Sequence, residues 1–170
     1  MRPNELLAQS LAESSLRDGA IWLLSNVPGL PPITQSIHIL GVAAVMASSV
    51  LIDLRLLGLA VPSQEPSAMI RRLQPWTWVA LAVNLVTGLP FLLARPYRYF
   101  LNPIFGAKVV GLLIAVAASW MLHRWARSDR SERIPLGVRV LAVMSLLAWV
   151  LVVFAGRWIA YVDYLFWSEG

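Results

Sequence analysis

The chain has 170 residues, of which 58% are hydrophobic and 14% charged, with a formal net charge of +5 and no cysteine. A mean hydropathy of +0.67 excludes a soluble globular domain of ordinary make-up and points to a bilayer. Zero cysteine excludes disulfides, thiolate metal sites and iron–sulfur ligation within the chain, and cations scattered over every loop exclude the basic stripe of a nucleic-acid binder.

The first element, residues 1–30, is read as an amphipathic segment lying on the membrane surface. In "NELLAQSLAESSLRDGAIWLL", Leu7, Leu11 and Ile21 stand among charges, and "NVPGLPP" stops the helix. Its apolar part lacks the compact form of a cleavable signal peptide.

Residues 31–170 are read as an all-α, four-transmembrane-helix bundle. Residues 19–52 carry no formal charge, Pro31-Pro32 divides them, and the first span is expected over 33–60. The second, 75–94, lies between Arg72 and Arg95. The third, 103–125, and the fourth, 137–162, must each carry a cation near one end, Lys108 and Arg157, which long side chains permit by reaching for the headgroups. Tryptophan and tyrosine gather at the expected ends: Trp76 and Trp78, Tyr97 and Tyr99, Trp120 and Trp125, Trp158 and Tyr161.

Orientation follows from the loop cations. Arg55, Arg71 and Arg72 lie after span one, and Arg124, Arg127, Arg130, Arg133 and Arg139 after span three; the other side has Arg2, Arg17, Arg95 and Arg98 in its loops. The richer side is cytoplasmic by the positive-inside rule, so both termini are expected to face outward.

The polar residues inside the spans are the functional candidates. On a helix advancing about 100° per residue, Gln35, Ser49 and Asp53 fall within roughly 60° of His38, with Gly41 on the same side, so span one has a polar face that belongs inside the bundle. In span three Ala107, Gly111, Ala115 and Ser119 precede His123 at four-residue spacing, a stripe that lets helices approach closely. Asn84 and Thr87 in "LAVNLVTGLP" are expected to bridge helices by hydrogen bonds, and Gly88 with Pro90 to break the helix locally.

His38 lies near the start of its span and His123 near the end of a parallel one, a difference of roughly 21 Å in depth at 1.5 Å per residue. This argues against one haem clamped between them within a monomer. Each histidine therefore has separate company. An outer group comprises Gln35, His38, Lys108, Arg157 and Tyr161, with Asp163 as a further member; an inner group comprises His123, Asp53, Arg55, Arg124 and Arg139. Either suits an acidic or carbonyl-bearing ligand, with haem b and a quinone as the cofactor candidates and His38 and His123 as the candidate metal ligands. The bland alternative is a polar network that joins helices, Asp53 pairing with Arg55 or Arg124. No phosphate-cradling glycine loop, nucleophile with a base, or carboxylate cluster is present, so an enzyme acting alone is not expected.

The series "HILG" at 38, "LIDLRLLGLA" at 51, "RRLQPW" at 71, "TGLPF" at 87, "NPIFGAK" at 102, "MLH" at 121 and "AGRWIAY" at 155 resembles an uncharacterised family of small bacterial four-helix inner-membrane proteins. More loosely, it is similar to four-helix membrane b-type cytochromes and copper-resistance membrane proteins. The resemblance implies a multi-pass protein of the bacterial inner membrane. Three functions are carried forward: a membrane subunit of a redox assembly that holds a haem or quinone, a non-catalytic scaffold or accessory subunit, and a small metal or anion transporter. The expected partners are the lipid bilayer and other membrane or periplasmic subunits, or further copies of the chain.

Overall fold

In a computed structural model of the chain, which describes residues 2–128 and 134–161, every regular element is helical. Two short helices, α1 (Pro3–Ala12) and α2 (Ser15–Asn26), precede four long ones, α3 (Leu30–Leu56), α4 (Pro66–Ala94), α6 (Pro103–Ser128) and α7 (Leu136–Trp158). A five-residue α5 (Pro96–Phe100) joins α4 to α6, and a 3₁₀ turn, Ile159–Tyr161, follows α7. The four long helices are long and apolar enough to cross a membrane. Even the shortest, with 23 residues, spans about 35 Å at 1.5 Å per residue, against a hydrocarbon thickness of about 30 Å.

The helices form a closed square in which α3 packs on α4, α4 on α6, α6 on α7 and α7 on α3. Polarity is inverted relative to a soluble bundle. Leu40, Leu85, Leu113 and Leu147, one from each long helix, are all more than 60% exposed, while serine, threonine, glutamine and aspartate are buried. Such a surface fits a hydrocarbon solvent, and polar groups turn inward because lipid cannot hydrogen-bond them.

Inside, the bundle is layered. One apolar layer comprises Val45, Ala80, Ala115, Ala148 and Trp149, and another, nearer the C-terminal ends of α3 and α6, comprises Ile52, Leu56, Ile70, Leu122, Ala126, Val138 and Ala142. Between them runs a polar belt to which each long helix contributes: Ser48, Ser49 and Asp53 from α3, Gln74 and Thr77 from α4, Ser119 from α6 and Ser145 from α7. All seven are less than 9% exposed.

Two expected boundaries shift by four residues or more. Helix α3 ends at Leu56 rather than 60 because Gly58, at φ +80°, closes it: the Leu59 N–H bonds the Leu54 carbonyl at 2.8 Å and the Gly58 N–H the Arg55 carbonyl at 3.1 Å. That pair of bonds needs a left-handed residue that glycine adopts freely. Helix α4 begins at Pro66, not 75, and runs through Pro75 and Pro90 to Ala94. Gly88 and Pro90 therefore do not break it. Helix α6 starts as its sequence suggests, the Asn102 side chain accepting the Ile104 N–H at 2.9 Å ahead of Pro103. The expected end of span four at 162, with Arg130, Arg133 and Asp163 of the outer group, lies outside the described residues.

The N-terminal segment is two helices rather than one. Helix α1 packs on α5 and α2 on α4, through the buried Ala8 and Ala20, and the Asn4 amide donates to the Phe100 carbonyl at 3.2 Å. Their outer faces expose Leu6, Leu7, Leu16 and Trp22, the apolar face expected of a segment at a membrane surface.

Candidate functional site

At the end of the bundle covered by α1 and α2, beyond the Val45 layer, polar side chains of α3, α4 and α6 each lie against a glycine of a neighbouring helix. The Thr87 hydroxyl donates to the Val83 carbonyl at 2.7 Å, which commits its only proton, so it accepts from Nδ1–H of His38 at 2.8 Å. Nε2 of His38 has no hydrogen-bond partner among the described residues. The Asn84 amide, oriented to satisfy both of its neighbours, donates to the His38 carbonyl at 2.8 Å and accepts from the Val42 N–H at 3.2 Å.

Glycines make these approaches possible. A Cβ on Gly41 would overlap the Asn84 amide, one on Gly88 would stand 3.3 Å from Cε1 of His38, and one on Gly156 would stand 3.5 Å from Nζ of Lys108. Gly111 receives Leu151 and Val152 in the same way. Lys108 is close enough for its charge to act on the His38 ring. Its ammonium has no acceptor or carboxylate partner among the described residues, where the single ion pair is Arg2 with Glu5 at 3.9 Å.

Of the outer group read from the sequence, the structure thus unites His38 and Lys108. Gln35 is exposed on the outside of α3. Arg157 is also exposed, and it turns to Tyr161, donating to its hydroxyl at 2.7 Å and lying 5.0 Å over its ring. Asn84 and Thr87 bridge helices as expected, yet they also belong to the site. The signal was their three-residue spacing, which aims both at α3.

The inner group separates. Asp53 is 1% exposed and pairs with no arginine among the described residues. Arg55 instead donates to the carbonyls of Gln64 at 2.6 Å and Pro62 at 3.3 Å. Arg124 lies 5.0 Å over the Trp120 ring, and Arg139 is exposed. The neighbours of Asp53 are Ser49, one turn back on α3, and Ser145 of α7, whose hydroxyl reaches the carboxyl without closing a well-formed bond. Ser145 and Trp149 were not among the sequence candidates; their i, i+4 spacing on α7, matching Ser49 and Asp53 on α3, was the available signal. His123 is half-buried, with Nδ1 buried and unpartnered, beside a surface hollow edged by Trp120, Arg124 and Arg127.

Along α6 the fifteen positions between Lys108, at the level of His38, and His123 correspond to about 22 Å, so the two histidines serve different levels. Among the described residues no group of three or more His, Cys, Asp and Glu is placed to hold a metal ion.

A search of curated proteins finds no match, nor does a search of solved structures. The profile of a family of unknown function, DUF6644, matches residues 29–162, a stretch that takes in all four long helices and both polar sites; the chain belongs to that family.

Proposed function

We propose that this protein is a membrane subunit of a redox assembly that receives the polar head of a quinone at His38 and Lys108. The observation that carries the reading is the Lys108 ammonium, drawn inside the bundle without a counter-charge among the described residues and facing a histidine whose Nε2 is free. An ammonium so placed calls for an acceptor oxygen, and a quinone offers two carbonyls. A neutral Nε2 accepts a quinol O–H, and the Thr87 bond holds the ring for it. An apolar furrow between α6 and α7, lined by Ile104, Ala107, Phe154 and Trp158, lies at the same end and suits an isoprenoid tail.

Quinone ranks ahead of haem b for two reasons. The histidines stand about 22 Å apart in depth, and the space over Gly41, Gly88 and Gly156 is taken by Asn84, His38 and Lys108. A scaffold role is the second reading, favoured by the helix-joining bonds of Ser48 with Thr77 and of Gln74 with the Ser119 carbonyl. Residence in the bacterial inner membrane, with both termini outside, completes the proposal; it rests on the loop arginines.

Quenching of tryptophan fluorescence by a short-chain alkyl benzoquinone in nanodiscs tests it. Saturable quenching is expected in wild type, weakened about tenfold, or roughly 1.4 kcal/mol, in Lys108→Met and in His38→Ala. Equal titration curves for all three proteins would leave the scaffold. A Soret band that shifts on adding dithionite would restore haem.

A further inference from the structure

The α3–α7 side of the polar belt holds an acid that the quinone reading does not use. Asp53 is 1%, Ser145 1%, Trp149 2% and Ser49 3% exposed. Among the described residues, both carboxyl oxygens, both hydroxyls and the indole N–H lack a hydrogen-bond partner. These are not scattered defects. Ser49 and Asp53 are one turn apart on α3, Ser145 and Trp149 one turn apart on α7, the two helices pack together, and Ser145 reaches the carboxyl.

Among the described residues, no cation pairs with Asp53 from any neighbouring element. On α3, Arg55 is held by loop carbonyls. On α4, Arg71 donates to the Ala126 carbonyl and Arg72 to the Gln64 side chain. On α6, Arg124 covers Trp120, and none of the contacts of His123 reaches Asp53. On α7, Arg139 is exposed. The acidic and basic residues of α2 lie at the far end of the bundle.

A carboxylate between two apolar layers is costly without a positive occupant. An alkali cation wants five or six oxygens, whereas the Asp53 carboxyl has the Ser145 hydroxyl within reach and the Ser49 hydroxyl one turn back on its own helix. We propose that Asp53 is a proton-binding site, its carboxyl carried in the neutral acid form between the hydroxyls of Ser49 and Ser145. The step is simple protonation: a proton arriving from water forms an O–H bond on one carboxyl oxygen, and no other bond changes. The new O–H then has the Ser145 hydroxyl oxygen as its acceptor.

Infrared spectra of the full chain in nanodiscs, recorded across the neutral pH range, test this without any quinone. Wild type should show the C=O stretch of a protonated carboxylic acid. Asp53→Asn should lose that band yet melt within about 3 °C of wild type, since asparagine imitates the neutral acid. Ser145→Ala should shift the band by removing its hydrogen-bond partner, and it assigns the band independently where Asp53→Asn fails to fold. Absence of an acid band, or a band that Ser145→Ala leaves unmoved, would overturn the proposal. So would a melting temperature raised by sodium but not by potassium in wild type and insensitive in Asp53→Asn, which would make the occupant a metal cation.

Discussion

Along the seam between α3 and α4, His38 gives its Nδ1 proton to Thr87, Asn84 bridges the His38 carbonyl and the Val42 amide, and Ser48 meets Thr77 at 2.8 Å. Along the seam between α3 and α7, Ser49, Asp53, Ser145 and Trp149 are buried as deeply and close no such bond. One helix thus lays polar side chains against two neighbours to opposite effect. A paired polar group inside a membrane bundle fastens helices, whereas a converging set of unpaired ones leaves room for a chemical partner that the helices themselves do not supply.

The contrast can be broken most forcefully at Gly41. In Gly41→Leu the new side chain collides with the Asn84 amide, and the α3–α4 seam should lose about 3 kcal/mol. A fall in Tm of roughly 10 °C in detergent is the expected readout; an unchanged Tm would mean that the seam is not fastened there. Asn84→Leu should cost about 1 to 2 kcal/mol by removing two interhelical bonds, read in the same melts.

Adjacent serines sharpen the comparison further. Ser48→Ala deletes the bond to Thr77 and should destabilise by about 0.5 to 1 kcal/mol. Ser49→Ala removes a hydroxyl that closes no bond in this structure and should cost less than Ser48→Ala. Equal losses for the two would show that Ser49 has a partner on the α7 side. The smallest effect belongs to Arg157→Leu. This exposed side chain engages only Tyr161, so neither Tm nor quinone titration should change measurably.

Much of this molecule was legible in its sequence because the bilayer imposes its own length and polarity rules. Charge-free runs located all four spans, and depth reckoning placed His38 beside Lys108 and away from His123. What escaped was set by local geometry or by helix partners. The end of α3 rests on a left-handed Gly58, a backbone state that a hydropathy reading does not contain. Pro75 looked like a helix start, but α4 passes through it. Gln35 shares an angular sector with His38, yet it stands outside, because a sector measured on one helix does not say where the neighbours are. Arg157 was drawn inward on paper, although Tyr161 one turn on holds it at the surface. The pairing of Asp53 with Ser145 was beyond any single-helix argument. It depends on α3 and α7 being neighbours on the square, and serines in apolar helices read first as packing residues.

The four glycines near the α1–α2 end, one in each long helix and each filled by a side chain from another, have a mechanical consequence. Helices keyed together in this way cannot slide past one another by a turn without first withdrawing every key. Displacement of the long helices is therefore expected to take the form of splaying at the opposite end, beyond the polar belt, with the glycine level as the pivot. Because Asp53 lies on the splaying side of that pivot and His38 at the pivot itself, a movement that admits water to the acid would leave the histidine's surroundings unchanged.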